Sequence, residues 1–198
     1  MICDFLMQAD PVPEVAVISS ASSKTAIAAA HSLQRRGVKT IGLTSARNVD
    51  FVKATNLYDE VLTYETADQC GGGGKAAYVD FVGRPALTKT VHEACGDSLA
   101  HSMVIGATDW EDSRIPTADL PGPTPTLFFV PDYAANRAKQ LPPGELDNRT
   151  GKDLVAFYPV SKSFVTPKEI KGVEAISQAW LDTVDANVPA DEGLICSF

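Results

Sequence analysis

The sequence predicts an α/β protein: a doubly wound parallel sheet of about six strands with helices on both faces. Three observations carry that expectation. Short apolar, β-branched runs alternate with helical patterns from Glu14 onwards. Each run stops at a turn of small or glycine residues, and helix formers follow. A helix lies between successive strands, and a crossover of that kind makes neighbouring strands parallel.

The first unit sets the pattern. Glu14-Val15-Ala16-Val17-Ile18 is a strand, Ser19-Ser20-Ala21-Ser22-Ser23-Lys24 a tight turn, and Thr25-Ala26-Ile27-Ala28-Ala29-Ala30 the start of a helix. The helix is expected over Lys24 to Arg36, with the apolar stripe Ile27, Ala30 and Leu33. The cations Arg35 and Arg36 and then Gly37 end it. Strand two is Val38 to Leu43, followed by a helix from Val49 to Thr55, and strand three is Glu60 to Tyr64. Residues 65 to 75 read as a loop. Its Gly71-Gly72-Gly73-Gly74 tract lacks the Lys and Thr of a phosphate-binding P-loop and reads as a linker. Strand four is Ala76 to Phe81. A helix opened by Pro85 runs to about Ala94, closed by Gly96. Strand five is Ser98 to Ile105.

Beyond that point the signals weaken. Residues 111 to 125 are a Pro- and Asp-rich loop, and Thr126 to Val130 is an edge strand between Pro125 and Pro131. Asp132 to Gln140 reads as helix and 141 to 151 as loop. Asp153 to Tyr158 fits helix or strand. Thr166-Pro167-Lys168-Glu169 has the marks of a helix start, with Thr as cap, Pro at the first position and Glu in the first turn. That helix breaks at Gly172 and continues to Val184, and Gly193 to Phe198 is a last strand. At the other end, Ile2, Phe5 and Leu6 are spaced as on the tail of an amphipathic helix. Asp10-Pro11-Val12-Pro13 breaks it.

Composition excludes several functions. The 198 residues carry 17 Lys and Arg against 25 Asp and Glu, a formal net charge of -8. That balance argues against binding a nucleic-acid backbone, which needs a basic face. No apolar run approaches the roughly 20 residues of a membrane span, and Met1 to Asp10 lacks the basic and apolar parts of a secretory signal. A cytoplasmic protein without nucleic-acid or membrane partners is the expectation. No pair among Cys3, Cys70, Cys95 and Cys196 has CxxC spacing, and no His sits near any of them at metal-ligand spacing, so reduced bystander thiols and no metal are expected.

The residues also carry a resemblance. The strand and Ser19-Ser20-Ala21-Ser22-Ser23-Lys24-Thr25-Ala26 turn, Leu43-Thr44-Ser45-Ala46-Arg47-Asn48 and Tyr58-Asp59-Glu60-Val61-Leu62-Thr63-Tyr64 resemble the Rossmann-like cofactor domain of the medium-chain dehydrogenase/reductase superfamily. The similarity is to its DUF2855 subgroup, in which a Ser-Ser-Ala-Ser-Ser-Lys-Thr-Ala turn replaces the glycine fingerprint. Tyr78-Val79-Asp80-Phe81-Val82-Gly83 and Val104-Ile105-Gly106-Ala107-Thr108 fit the same pattern. The resemblance spans roughly Glu14 to Pro131 and implies a single Rossmann-like domain. Residues 1–13 would be a remnant linker helix, 14–131 the core sheet and 132–198 the C-terminal helices and last strand. The superfamily's GroES-like N-terminal barrel has no counterpart in these residues, and Met1 falls where the helix joining the two domains would be.

Candidate binding residues follow. At the first turn, Ser20, Ala21, Ser22, Ser23, Lys24 and Thr25 would present amides, hydroxyls and a charge to a pyrophosphate at a helix N-terminus; the serines would otherwise serve only as caps. At the end of strand two, Thr44, Ser45 and Arg47 stand where NAD users place an acid. An Arg there accommodates a 2′-phosphate, so NADP(H) is the expected cofactor; the alternative is that Ser45 caps the next helix and Arg47 is solvated. The resemblance places Tyr64, Phe81, Val82, Gly83, Gly106, Ala107 and Thr108 beside the adenine and nicotinamide, where the alternative is ordinary strand-to-helix turns. Tyr64 and Asp109 are the candidate catalytic side chains. His31, His92 and His101 read as structural.

The function so implied is a zinc-independent NADP(H)-dependent reductase or dehydrogenase-like protein acting on a small carbonyl or enone. Two alternatives stand beside it. One is a cofactor-independent isomerase, cyclase or lyase using the same crevice. The other is a non-catalytic pseudo-enzyme module. With the barrel gone, an exposed N-terminal apolar face (Ile2, Phe5, Leu6) or the edge strand 126–130 would seat a homodimer.

Overall fold

The computed structural model describes residues 1–106 and 120–198. The candidates Ala107, Thr108 and Asp109, and the acidic run after them, lie outside the described residues. A parallel six-stranded sheet forms the centre, in the order β3-β2-β1-β4-β5-β6. Its strands are β1 (Val15–Ile18), β2 (Lys39–Thr44), β3 (Glu60–Thr63), β4 (Ala76–Asp80), β5 (Leu99–Val104) and β6 (Thr126–Leu127). The chain order reverses between β1 and β4, which creates a crevice at the carboxyl ends of these two strands.

Both faces of the sheet are covered, as an all-parallel sheet requires. On one face Ala16, Ile18, Ala77 and Val79 pack against Ile27 and Leu33 of α2 (Lys24–Gln34), Val52 of α3 (Val49–Ala54), and Ile2 and Leu6 of α1 (Ile2–Leu6). On the other, Val15, Val17 and Tyr78 pack against Leu87 and Val91 of α4 (Pro85–Cys95) and Ala67 of the 3₁₀ turn Tyr64–Gln69. The strand period of two sorts these side chains to opposite faces. Every residue of β1 and β4 is buried, which is why their sequences read as apolar runs, broken only by Asp80 at the end of β4.

Four expectations are corrected. The N-terminal apolar face is not exposed: Leu6 is fully buried and Ile2 is 8% exposed. Phe5 packs edge-on against Phe128 and Tyr133. Asp4 accepts hydrogen bonds from Tyr133 and Arg137 and pins α1 to α5 (Val130–Ala138). The edge strand is shorter than expected, because Pro131 takes the first turn of α5 and Val130 starts that helix. Residues 141–151 are not all loop. Gly144, at φ 76°, turns the chain into α6 (Glu145–Ser161), held at its start by the Glu145–Arg149 pair and packed through Phe157 and Val160. Finally, Thr166-Pro167-Lys168-Glu169 is strand, not helix. It belongs to β7 (Thr166–Lys171), which pairs in parallel with β8 (Glu192–Ser197) in a separate two-stranded sheet spanned by α7 (Val173–Val184). The Thr166 N–H donates to Asp191, and Lys168 pairs with Glu192, so inter-strand bonds outweigh the local helix signal.

Candidate functional site

The turn after β1 forms without a glycine. Ser20 takes the left-handed conformation itself, at φ 49°, a cost of about 1–2 kcal/mol for a residue with a Cβ. Three bonds hold it there. The Ser23 N–H donates to the Ser20 carbonyl at 2.8 Å, and the Ala21 N–H to Leu43 of β2 at 3.0 Å. The buried Tyr58 hydroxyl donates to the Ala21 carbonyl at 3.0 Å. Gly42 makes room for this packing: a Cβ there would sit 2.8 Å from the Tyr58 ring and 3.0 Å from the Ala21 Cβ. Burial pushes the Tyr58 phenol far above its ordinary range, so it stays a donor.

The same turn opens α2. Ser23 is the N-cap, and its hydroxyl accepts from the Ala26 N–H at 3.3 Å. The backbone N–H groups of Ser22, Lys24 and Thr25 have no acceptor among the described residues. They are the free donors that a helix start leaves behind. Asn48 donates to the Ser22 hydroxyl at 3.1 Å and links the turn to the end of β2.

Beside these amides lies a cavity of about 460 Å³. One wall is Ser22, Lys24, Arg47 and Asn48; the other is Thr183, Asn187 and the chain to Ala190. The Lys24 ammonium donates to the Ala190 carbonyl at 2.9 Å, and desolvation lowers its pKa. An ammonium has three donors, so two remain. Arg47 stands in the short 3₁₀ turn Ala46–Asn48 that follows β2, with Ser45 in the cap position but making no side-chain cap bond. Thr44, at the end of β2, is fully buried and its hydroxyl has no partner among the described residues. It lies on the strand face of Gly42, toward the Ser-rich turn. Thr44 is not among the residues lining the cavity, contrary to its expected role in binding; the free amides, two cations and no carboxylate among the described lining residues fit a phosphorylated ligand.

The neighbouring turn, after β4, is built differently. Ser19 and Asp80 are both buried, and the Ser19 hydroxyl donates to Asp80 Oδ1 at 2.6 Å. Phe81 and Val82 donate their N–H groups to Ser19 Oγ at 2.8 and 3.1 Å. Val82 and Gly83 donate to Asp80 Oδ1 at 3.0 and 3.1 Å. Thr88 donates to the other carboxylate oxygen at 3.4 Å. All three amides of this turn are therefore consumed inside the protein, and Phe81 and Val82 are themselves buried. Sequence reasoning singled out Phe81, Val82 and Gly83 and missed Ser19 and Asp80, which organise them. The available signal was an aspartate closing an otherwise apolar strand.

Tyr64 begins the 3₁₀ turn after β3, and the Arg84 guanidinium lies 5.4 Å from its ring centre. Burial raises the Tyr64 pKa although Arg84 and hydrogen bonds with Ser20 oppose it, so its phenol stays protonated. Gly106 sits at the end of the β5 segment with its N–H directed to the Asp80 carbonyl at 3.3 Å. The three histidines stand apart from the crevice amides. His92, for one, is fully buried between the Pro121 carbonyl and the Ser102 hydroxyl. Among the described residues, no group of three His, Cys, Asp or Glu side chains is placed to hold a metal. No described helix is long and apolar enough to cross a membrane.

Solved structures share the fold. CurA of Vibrio vulnificus, in complex with NADPH, superposes with a TM-score of 0.65 at 14% identity, covering 93% of this chain and 57% of CurA. The quinone oxidoreductase of Pseudomonas syringae pv. tomato DC3000 gives 0.68 at 14% identity, covering 98% and 61%. CurK enoyl reductase gives 0.60 at 15%, covering 93% and 55%. This chain thus spans little more than half of each of these proteins. No curated protein matches the sequence. The family model described as "Protein of unknown function (DUF2855)" matches residues 1–189, and the chain belongs to that family.

Proposed function

We propose that this chain binds NADP(H) at the Ser-rich turn and is the cofactor-binding part of a zinc-independent reductase for a small carbonyl or enone. The observation that carries the reading is the set of unpaired amides at Ser22, Lys24 and Thr25, opening beside Lys24 and Arg47. These amides and the Lys24 ammonium hold the pyrophosphate, together with the Ser20–Ser23 turn that shapes them. Arg47, with Ser45, holds the 2′-phosphate, a charge that the unreduced and reduced cofactors share. Tyr64, kept protonated, serves as a donor at the crevice edge. The bound nicotinamide supplies the hydride chemistry, and the chain orients it. The substrate class is supported by the named activities of the structural neighbours, a quinone oxidoreductase and an enoyl reductase.

A homodimer across the β6 edge belongs to the same reading. Leu127 and Phe129 are exposed there, beside a strand edge with no partner among the described residues. Light scattering that finds only monomer removes it. The cofactor assignment is tested by calorimetric titration. NADPH is expected to bind saturably and more tightly than NADH; heat of dilution alone up to millimolar NADPH overturns the proposal.

A further inference from the structure

The glycine tract at 71–74 is not a plain linker. A Cβ on Gly71 would lie 2.1 Å from the Ala94 carbonyl oxygen and 3.6 Å from the Cys95 nitrogen, so only glycine lets the chain pass this close to the end of α4. That approach sets Cys70, the residue before it, against Cys95, the last residue of α4. Both are in the same buried cluster, 2% and 7% exposed, and both are free thiols. The Cys95 side chain beside it, together with burial, holds the Cys70 thiol well above the ordinary thiol range. Cys3 is also buried, yet its side-chain partner is Ser32 rather than a second thiol. Cys196 is exposed.

We propose that Cys70 and Cys95 are a peroxide-oxidisable dithiol, which a hydroperoxide converts into an intramolecular disulfide pinning the Tyr64–Gln69 turn to the end of α4. Cys95, the more exposed of the two, reacts first, as its thiolate, the nucleophilic form. Its sulfur attacks a peroxide oxygen, the O–O bond breaks, and the departing oxygen leaves as water or an alcohol after taking a proton. Cys95 is now a sulfenic acid. The Cys70 sulfur then attacks Cys95 Sγ; the S–O bond breaks and hydroxide leaves with the Cys70 proton as water. Two thiols and one hydroperoxide give one disulfide, one water and one further water or alcohol. The Gly72–Gly74 loop that follows is exposed, and Gly72 and Gly74 hold φ of 89° and 101°. The opposite ends of the two clamped elements carry Tyr64 and Arg84, so the bond stiffens one border of the crevice.

The test uses the full chain with Cys196→Ser, which removes intermolecular coupling through the exposed thiol. The reduced protein is treated with hydrogen peroxide, unfolded and alkylated, then analysed by intact and peptide mass spectrometry. The expected product has lost two hydrogens, carries an alkyl group at Cys3 alone, and yields a cross-linked peptide containing Cys70 and Cys95. Its thermal midpoint rises by roughly 5–10 °C and returns on reduction. Alkylation of Cys3, Cys70 and Cys95 together, or oxygen addition at Cys70 or Cys95 without a cross-link, overturns the proposal. Neither outcome depends on cofactor binding.

Discussion

Two turns lie side by side at the carboxyl ends of β1 and β4, and their amides have opposite fates. After β1, the N–H groups of Ser22, Lys24 and Thr25 have no acceptor among the described residues. After β4, those of Phe81, Val82 and Gly83 all end on Ser19 and Asp80. Both turns sit at the carboxyl end of a central parallel strand and lead into a helix of eleven residues. One buried carboxylate makes the difference. Asp80 supplies inside the β4 turn the negative charge that a phosphate would supply to the β1 turn from outside. A strand-to-helix turn in this fold is therefore a binding site only when the protein leaves its donors unsatisfied.

The sharpest way to break the closed turn is Asp80→Ala. It leaves the buried Gly83 N–H and the Ser19 hydroxyl without their acceptor, and is expected to cost about 2–3 kcal/mol of stability by urea denaturation. On the open turn, Arg47→Ala is expected to weaken NADPH roughly tenfold, about 1.4 kcal/mol, while NADH affinity changes less than about twofold. Calorimetry on both cofactors separates these outcomes, and equal losses would contradict a 2′-phosphate role. Ser23→Ala removes only the α2 cap, so a loss of about 1 kcal/mol is expected in the same urea experiment. The smallest effect is a pH dependence. Desolvation lowers the Lys24 pKa, and only the ammonium form attracts a phosphate. NADPH affinity should therefore decline on the alkaline side at a pH below the usual lysine range. Lys24→Ala should bind more weakly at neutral pH and lose that decline.

The contrast between the turns also marks what the sequence discloses. The sheet was legible because burial on both faces turned β1 and β4 into apolar runs, each ended by small or glycine residues. The open turn was legible because a helix start is a local event, written in Ser23 and the alanines that follow. The closed turn was not, because Ser19 and Asp80 are 61 residues apart and neither looks unusual alone. Gly42 is silent for the same reason, since its role is to admit Tyr58 from beyond α3. At the C-terminal end the local signals misled. Thr166-Pro167-Lys168-Glu169 satisfies every rule for a helix start, but β8, over twenty residues on, offers the backbone parallel partners. Pro142-Pro143-Gly144 announces a loop, and α6 begins directly after it, with Gly151 and Pro159 inside it hiding its length.

The most direct measurement is an amide-resolved NMR titration of the chain with NADPH. The account predicts that the largest shifts fall on the Ser22, Lys24 and Thr25 N–H signals, while those of Phe81, Val82 and Gly83 scarcely move. Stationary signals at 22, 24 and 25, or larger shifts at 81–83, would contradict it.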